Sequence, residues 1–353
     1  MKVLVTGAAG FIGAAIVEQL DAVGHQVVGI DALIPEAHAP GTKLPEGTHL
    51  EDLRHPKGWE TLLVGCDAVC HQAAMVGAGV TVADLPSYAG HNDLGTASLL
   101  AAMSRQRVGR LVLASSMVVY GEGLYTCSDH GMRRAGIRSR NDLEDGRFDH
   151  ACDVCGRPLA WALVPEDAPM DPLSSYAVSK LAQEHYTRAW VRQAPAAAIA
   201  LRYHNVYGPG MPRDTPYSGV AAIFRSSLER GESPRVFEDG AQMRDFVHLS
   251  DVVRANVLAL EHVVAASPGL YAAYNVASGH PVSIADVARI LGGGAHPEVT
   301  GQYRTGDVRH VVASPSLASE ELGFTAGVTP ESGIAAFASA PLRASGGRFT
   351  SRS

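Results

Sequence analysis

Tyr176 and Lys180 stand four residues apart in Tyr176-Ala177-Val178-Ser179-Lys180, so on a helix their side chains share one face. A phenol with a reference pKa of about 10 is a poor base at neutral pH, and a nearby ammonium lowers that value by favouring the phenolate. The pair is a candidate unit for abstracting a proton from a hydroxyl.

Two further sets carry chemistry. Cys127-Ser-Asp-His130 and Cys152-Asp-Val-Cys155-Gly156 offer three thiolates and one imidazole at spacings suited to tetrahedral zinc, with His150 an alternative fourth ligand to His130. Four protein ligands leave no position for water, so the expected role is structural: one zinc per chain, ordering a segment too polar to fold unaided. Cys66 and Cys70 flank a core strand and read as packing residues.

The other set is Thr6-Gly7-Ala8-Ala9-Gly10-Phe11-Ile12-Gly13, between an apolar strand and an amphipathic helix. Gly7 permits the tight turn, Gly10 lets backbone approach a pyrophosphate, and Gly13 allows close helix packing, with phosphates at the helix N-terminus. Asp31 ends the second strand, where a carboxylate accepts hydrogen bonds from adenosine ribose hydroxyls and repels a 2′-phosphate. NAD is therefore expected rather than NADP.

The elements that must hold these groups alternate. Val3–Val5, Val27–Ile30, Ala68–Cys70, Leu111–Ala114 and Ala198–Leu201 read as strands, and Phe11–Val23, Ser87–Arg105 and Ser174–Gln193 carry helical apolar spacing. This predicts an α/β fold of the Rossmann type, a doubly wound parallel sheet over residues 1–208, interrupted by a polar Cys/His-rich insertion over about 121–168. Residues 209–340 read as a smaller C-terminal substrate lobe whose chain can cross back into the first domain, and 341–353 as a disordered tail. The 353 residues hold 29 Lys and Arg against 36 Asp and Glu, a net charge of −7. That balance gives no electrostatic footprint for nucleic acid or an anionic membrane, so an anionic ligand must be held by a few local groups. No apolar run is long enough for a membrane span, the first residues read as a strand rather than a leader, and the expected location is the cytoplasm.

The Gly-x-x-Gly-x-x-Gly spacing, Asp52-Leu53-Arg54, His71-Gln72-Ala73-Ala74, Asn92-x-x-Gly95-Thr96, Ser115-Ser116-Met117-Val118-Val119-Tyr120-Gly121 and Tyr176-x-x-x-Lys180 occur in one order. Together they resemble an extended short-chain dehydrogenase/reductase of the NAD-dependent sugar-nucleotide epimerase and dehydratase family, over nearly the whole chain. The resemblance implies catalysis by Ser116, Tyr176 and Lys180, with the Ser116 hydroxyl on the reacting sugar oxygen. It implies cofactor contacts from Gly7, Gly10, Phe11, Ile12, Gly13, Asp31, Asp52, Leu53, Ala73, Ala74, Tyr176, Lys180 and Tyr203. Substrate contacts are implied for Met75, Val76, Ser116, Met117, Asn205, Val236, Phe237, Arg244 and Arg304. Asn205 and the two arginines would hold a sugar-nucleotide diphosphate, and Val236 and Phe237 would flank the base; forked guanidinium donors suit phosphate oxygens. His204 and His248 have no assigned role and read as packed or solvent-facing.

Met117 and Val118 occupy positions where dehydratases of this kind carry an Asp-Glu pair, and neither moves a proton. Dehydration and decarboxylation are therefore disfavoured. The expected reaction is 4-epimerisation through a 4-keto intermediate, with bound NAD unchanged overall. A ketosugar reductase consuming NAD(P)H is the alternative, and a non-catalytic NAD-binding regulator a third reading against which intact Ser116, Tyr176 and Lys180 argue. The insertion and its flanks, Tyr120–Cys127, Cys152–Leu159, Tyr217–Phe224 and Val236–Gly240, look most like the dTDP-L-rhamnose 4-epimerase group. That family implies a homodimer through the helices near Leu99 and Tyr186.

Overall fold

The computed structural model describes residues 1–77, 82–213 and 219–344. Tyr217 and Ser218 of the segment used for the resemblance, and 345–353 of the expected tail, lie outside them.

Alternating apolar runs build the first layer. Strands β1 (Lys2–Thr6), β2 (Gln26–Asp31), β3 (Thr48–Leu50), β4 (Ala68–His71) and β5 (Arg110–Ser116) are linked by crossovers that include α1 (Phe11–Ala22), α2 (Leu85–Tyr88) and α3 (Gly95–Arg105). Between α2 and α3 the helix widens by a π-type turn over Ala89–Leu94. The insertion follows as an antiparallel sheet of β6 (Leu124–Cys127), β7 (Gly131–Arg134) and β8 (Ala160–Ala162), with the short helix α4 (Arg140–Glu144) between β7 and β8. Helix α5 (Ser175–Gln193) then carries Tyr176 and Lys180 in its first turns, started by the Ser174 hydroxyl accepting from Ala177 N at 3.2 Å.

Strands β9 (Ala197–Tyr203), β10 (Asn205–Tyr207), β11 (Arg235–Val236), β12 (Met243–His248), β13 (Tyr271–Val276), β14 (Pro281–Ser283) and β15 (Glu298–Val299) complete the chain with α6 (Val220–Glu229), α7 (Leu249–Ala265), α8 (Ile284–Leu291), α9 (Ser316–Leu322) and α10 (Pro330–Phe337). The main sheet runs β13-β9-β5-β4-β1-β2-β3, with every pair parallel. Strand order reverses between β1 and β4, so the crevice at their carboxyl ends is the binding position of a doubly wound sheet.

Burial on both sheet faces explains the continuous apolar strands: α1 and α7 cover one face around Ile16, Leu20, Val112, Ile199 and Leu260. Leu99, Met103, Leu111 and Trp190 fill the other. After residue 209 the chain crosses back: α7 and β13 return to the large sheet and Phe324, after α9, joins its core. The second lobe's own core is Phe224, Val236, Phe246, Leu291, Ile334, Phe337 and Leu342. The tail also starts later than composition suggests, since Leu342 is buried there and Arg343 pairs with Pro212. Apolar burial of one leucine outweighs the polar composition around it.

Candidate active site

The glycine loop closes on itself so tightly that side chains are excluded. A Cβ on Gly13 would lie 2.0 Å from Gly7 O, and one on Gly7, whose φ is +69°, 2.8 Å from Ala73 N. Gly10 is the N-cap of α1 and supplies no capping side chain, and the first turn carries no acid. The helix N-terminus therefore keeps donors and positive potential for an anion. The cavity over this loop is lined by Gly7, Gly10, Phe11, Ile12, Gly13, Asp31, Asp52, Leu53, Ala73, Ala74, Met75, Val76, Tyr176, Lys180 and Tyr203. Thus every residue expected at the cofactor, with Met75 and Val76, lies around one space.

Asp31 accepts from Ala9 N at 2.9 Å and Leu33 N at 2.8 Å, and His38 Nε2 is 3.3 Å away. Burial pushes its pKa up, and the His38, Leu33 and Ala9 contacts outweigh this, leaving the carboxyl below its ordinary value. It stays ionised, as ribose hydroxyl recognition requires. His38, which also lines the cavity, was not signalled by the sequence, since it lies in an irregular loop after β2. Asp52, also in the cavity lining, is forked to Arg54, which lowers its pKa.

At the other end Lys180 Nζ donates to Ala114 O at 2.9 Å and lies 5.9 Å from the Tyr176 ring centre. Burial pushes Lys180 down to about 7, opposed by Glu184 one helical turn on. Burial also raises Tyr176, and the Ser116 hydroxyl hydrogen bond pulls it back down, while neighbouring Tyr88 raises it. The sequence expects Lys180 to lower the phenol; the contact that lowers it is the Ser116 hydrogen bond, while the Lys180 ammonium donates to a backbone carbonyl. Ser115, which lines the cavity, is buried and donates to Glu184 at 2.5 Å, whereas Ser116 is outside the lining and reaches the site through its hydrogen bond with Tyr176.

Buried polar chains hold this geometry. Asn92 clamps Met75 through both N–H and C=O, at 2.8 and 3.0 Å, and donates to Ser179 Oγ at 2.8 Å; Ser179 donates in turn to Tyr176 O. His71, pushed down to about 3 by burial and by Lys180, is neutral and bridges Thr6 and Thr96. Glu184 is paired with Arg202 at 2.8 Å, both buried. Sequence spacing did not reveal the Glu184–Arg202 pair or Arg343, which reaches this cavity from the far end of the chain.

The substrate residues of the second lobe are brought together only in part. Phe237 lines a shallow second cavity with Thr300, Gly301, Gln302 and Tyr303, and the Arg304 guanidinium lies 4.9 Å from its ring centre. Asn205 keeps a buried amide oxygen with no partner among the described residues. Val236 is fully buried in the lobe core and paired with Val299, so it cannot touch a base without rearrangement. Arg244 donates to the carbonyls of Met243, Val308 and Arg309 at 2.6–2.9 Å rather than pointing into a cavity, and burial lowers its pKa. His248 caps α7 by accepting from Ser250 N at 3.2 Å, and His204 is buried and held near 4 by that burial, hence neutral.

The insertion forms a second centre. Cys127, His130, Cys152 and Cys155 place one ligand atom each within 4.8 Å of one another. Cys127 Sγ is 3.6 Å from His130 Nδ1 and 3.7 Å from Cys155 Sγ, and Cys152 Sγ is 3.6 Å from His130 Nδ1. Ligands on a tetrahedron at zinc bond lengths stand roughly 3.5–3.8 Å apart, whereas bonded sulfurs would stand at about 2 Å. His150 is elsewhere, 3.4 Å from Glu122 and edge-on to Tyr125. Each knuckle is closed by a left-handed glycine, Gly131 at φ +69° and Gly156 at φ +72°.

The profile of the NAD dependent epimerase/dehydratase family matches residues 3–133 and 158–277, leaving out much of the insertion. The chain belongs to this family. It is 34% identical over 346 residues to dTDP-L-rhamnose 4-epimerase of Burkholderia thailandensis, covering 94% of this chain and 93% of that protein. It is 30% identical to UDP-glucose 4-epimerase of Mycolicibacterium smegmatis over 95% and 96% of the two chains. Among solved structures, MoeE5 in complex with UDP-glucuronic acid and NAD superposes with a TM-score of 0.73 at 30% identity, covering 96% of this chain and 98% of that one. Together with the alternating sheet, these relatives establish the Rossmann-type fold of an extended short-chain dehydrogenase/reductase.

Proposed function

We propose that the chain is an NAD-dependent nucleotide-sugar 4-epimerase. The observation that carries this is Tyr176 and Lys180 lining a glycine-loop cavity, with Ser116 hydrogen-bonded to Tyr176 and followed by Met117 and Val118, which move no proton. The relatives' names, dTDP-L-rhamnose 4-epimerase and UDP-glucose 4-epimerase, support the same reaction. The cradle fits the cofactor: side chains are sterically excluded from Gly7 and Gly13, the α1 terminus is uncapped, and Asp31 stands ionised at the ribose end. When bound, NAD supplies the acceptor for a hydride and later its donor. Ser116 would orient the sugar oxygen, Tyr176 would take the hydroxyl proton as hydride leaves the same carbon, and Lys180 would bind the nicotinamide ribose. The ketone then presents its other face, and Tyr176 gives the proton back to the oxygen as hydride returns. Phe237 and Arg304 would meet the nucleotide portion of the substrate, with Asn205 at its diphosphate.

The Cys127, His130, Cys152 and Cys155 set would hold one structural zinc, supported by donor chemistry and spacing. Five free cysteines, three of them in this cluster, favour a reducing compartment and hence the cytoplasm. Among the described residues no helix is long and apolar enough to cross a membrane. A homodimer through the helices near Leu99 and Tyr186 would use exposed Leu94, Val178 and Tyr186, with Leu99 itself in the chain's own core. The deciding experiment incubates purified protein with nucleotide sugars, dTDP-L-rhamnose and UDP-glucose first, without added NAD, and follows epimers by NMR. Epimer formation in both directions with no net change in nicotinamide absorbance is expected; stoichiometric consumption of reduced cofactor would establish the reductase instead.

A further inference from the structure

The open side of the cofactor cavity is bounded by residues that composition assigns to a tail. Gly210 N donates to Pro341 O at 2.8 Å, Arg343 N to Met211 O at 3.2 Å, and Arg213 N to Arg343 O at 3.0 Å. Leu342 is buried against the second-lobe core, so the Arg343 backbone is fixed from both sides. Its side chain then crosses to the first domain. Nη1 donates to Ala9 O at 3.0 Å, inside the glycine loop, while Nε is buried with no partner among the described residues.

The charge around the cavity makes this position informative. The lining holds four carboxylates, Asp31, Glu36, Glu51 and Asp52, against Lys180, which burial lowers to about 7, and the Arg343 guanidinium. Lys180 is committed to the catalytic end, at Ala114 O beside Tyr176. Arg343 is left at the uncapped start of α1, where the loop's own backbone N–H groups face an anion. The partly desolvated guanidinium feels the Asp31 carboxylate across the cavity but keeps a buried Nε–H with no hydrogen-bond partner among the described residues, and a diphosphate needs a countercharge in a chain of net charge −7.

We propose that Arg343 is a ligand of the cofactor diphosphate, supplied across the domain boundary by the C-terminal segment, so that cofactor retention depends on the second lobe. This rests on the dinucleotide reading of the cavity. Full-length protein stripped of nucleotide is titrated calorimetrically with ADP, 2′-AMP and adenosine, in wild type, Arg343→Gln and Arg343→Lys. Removing a charge-assisted hydrogen bond should weaken ADP on the order of 10- to 100-fold in Arg343→Gln and less in Arg343→Lys. Adenosine affinity and the melting temperature of stripped protein should hold, and NAD recovered with the purified variant should fall. Unchanged ADP affinity would overturn the proposal. So would equal losses for ADP and adenosine, which would mark a loop-holding role, or a loss confined to 2′-AMP, which would move Arg343 to the ribose. Failure of wild type to bind ADP would reject the dinucleotide reading itself.

Discussion

In the proposed reaction Tyr176 is the base and Ser116 its tuning partner: burial raises the phenol, and the serine hydroxyl lowers it. Tyr176→Phe removes one oxygen from a pocket built by other residues, so turnover should fall on the order of 10²- to 10⁴-fold with NAD content and melting temperature retained. Near-normal turnover would sink the assignment. Ser116→Ala removes the hydrogen bond that favours phenolate, so Tyr176 titrates at higher pH. Because the deprotonated phenol is the base, the acid limb of kcat/KM should move up in pH, and the variant should recover part of its rate on going from pH 7 to pH 9. An unshifted limb would separate Ser116 from the base. These residues were legible because helical spacing and strand ends are local properties of sequence. His38 and Arg343 were not, since each acquires its meaning only from a loop closed in space, and Arg343 meets a carbonyl 334 positions away.

At the scale of elements, the insertion braces the loop after Phe237, which under the proposed function would meet the nucleotide. Buried Arg309 bonds Asp149 of the insertion and Glu238 and Asp239 of the loop after Phe237, and its backbone N donates to Glu122. Arg138 of the insertion pairs with the same Glu238 at 2.8 Å. Gly123 approaches so closely that a Cβ there would lie 2.3 Å from His310 O. Breaking such buried pairs is costly because a charge is left unpaired. Purified protein should therefore contain about one zinc per chain, and Cys152→Ser should lose it, loosen residues 121–168 to protease first, and raise KM for the nucleotide sugar more than it weakens NAD. Absence of zinc from protein prepared without chelator, or a variant with unchanged metal and unchanged proteolysis, would reject this. The two knuckles could be read from the sequence because ligand, turn and glycine recur within five residues. The Arg309 hub could not, because its partners come from three segments and each looks like an ordinary surface charge.

For the whole molecule, the parallel sheet was legible because strands buried on both faces stay largely apolar, as in Ala197–Leu201 of β9. That the chain after 209 can cross back was expected, but not which segments do so, because α7 and β13 return to the first sheet after the second lobe has begun and no local signal marks a long-range return. The chain end makes the same point. A chain ending after Ala344 keeps the described contacts of Leu342 and Arg343 and should match the full protein in melting temperature and NAD content. Ending after Ala340 instead removes a buried leucine, a loss of about 2–5 kcal/mol by analogy with large-to-small core changes, together with the strand pairing to Met211 and Arg213. That shorter chain should melt several degrees lower and be purified with little NAD. Thermal melts and nucleotide analysis of the two chains, side by side, decide where the folded molecule stops: indistinguishable behaviour would return Pro341–Arg343 to the tail.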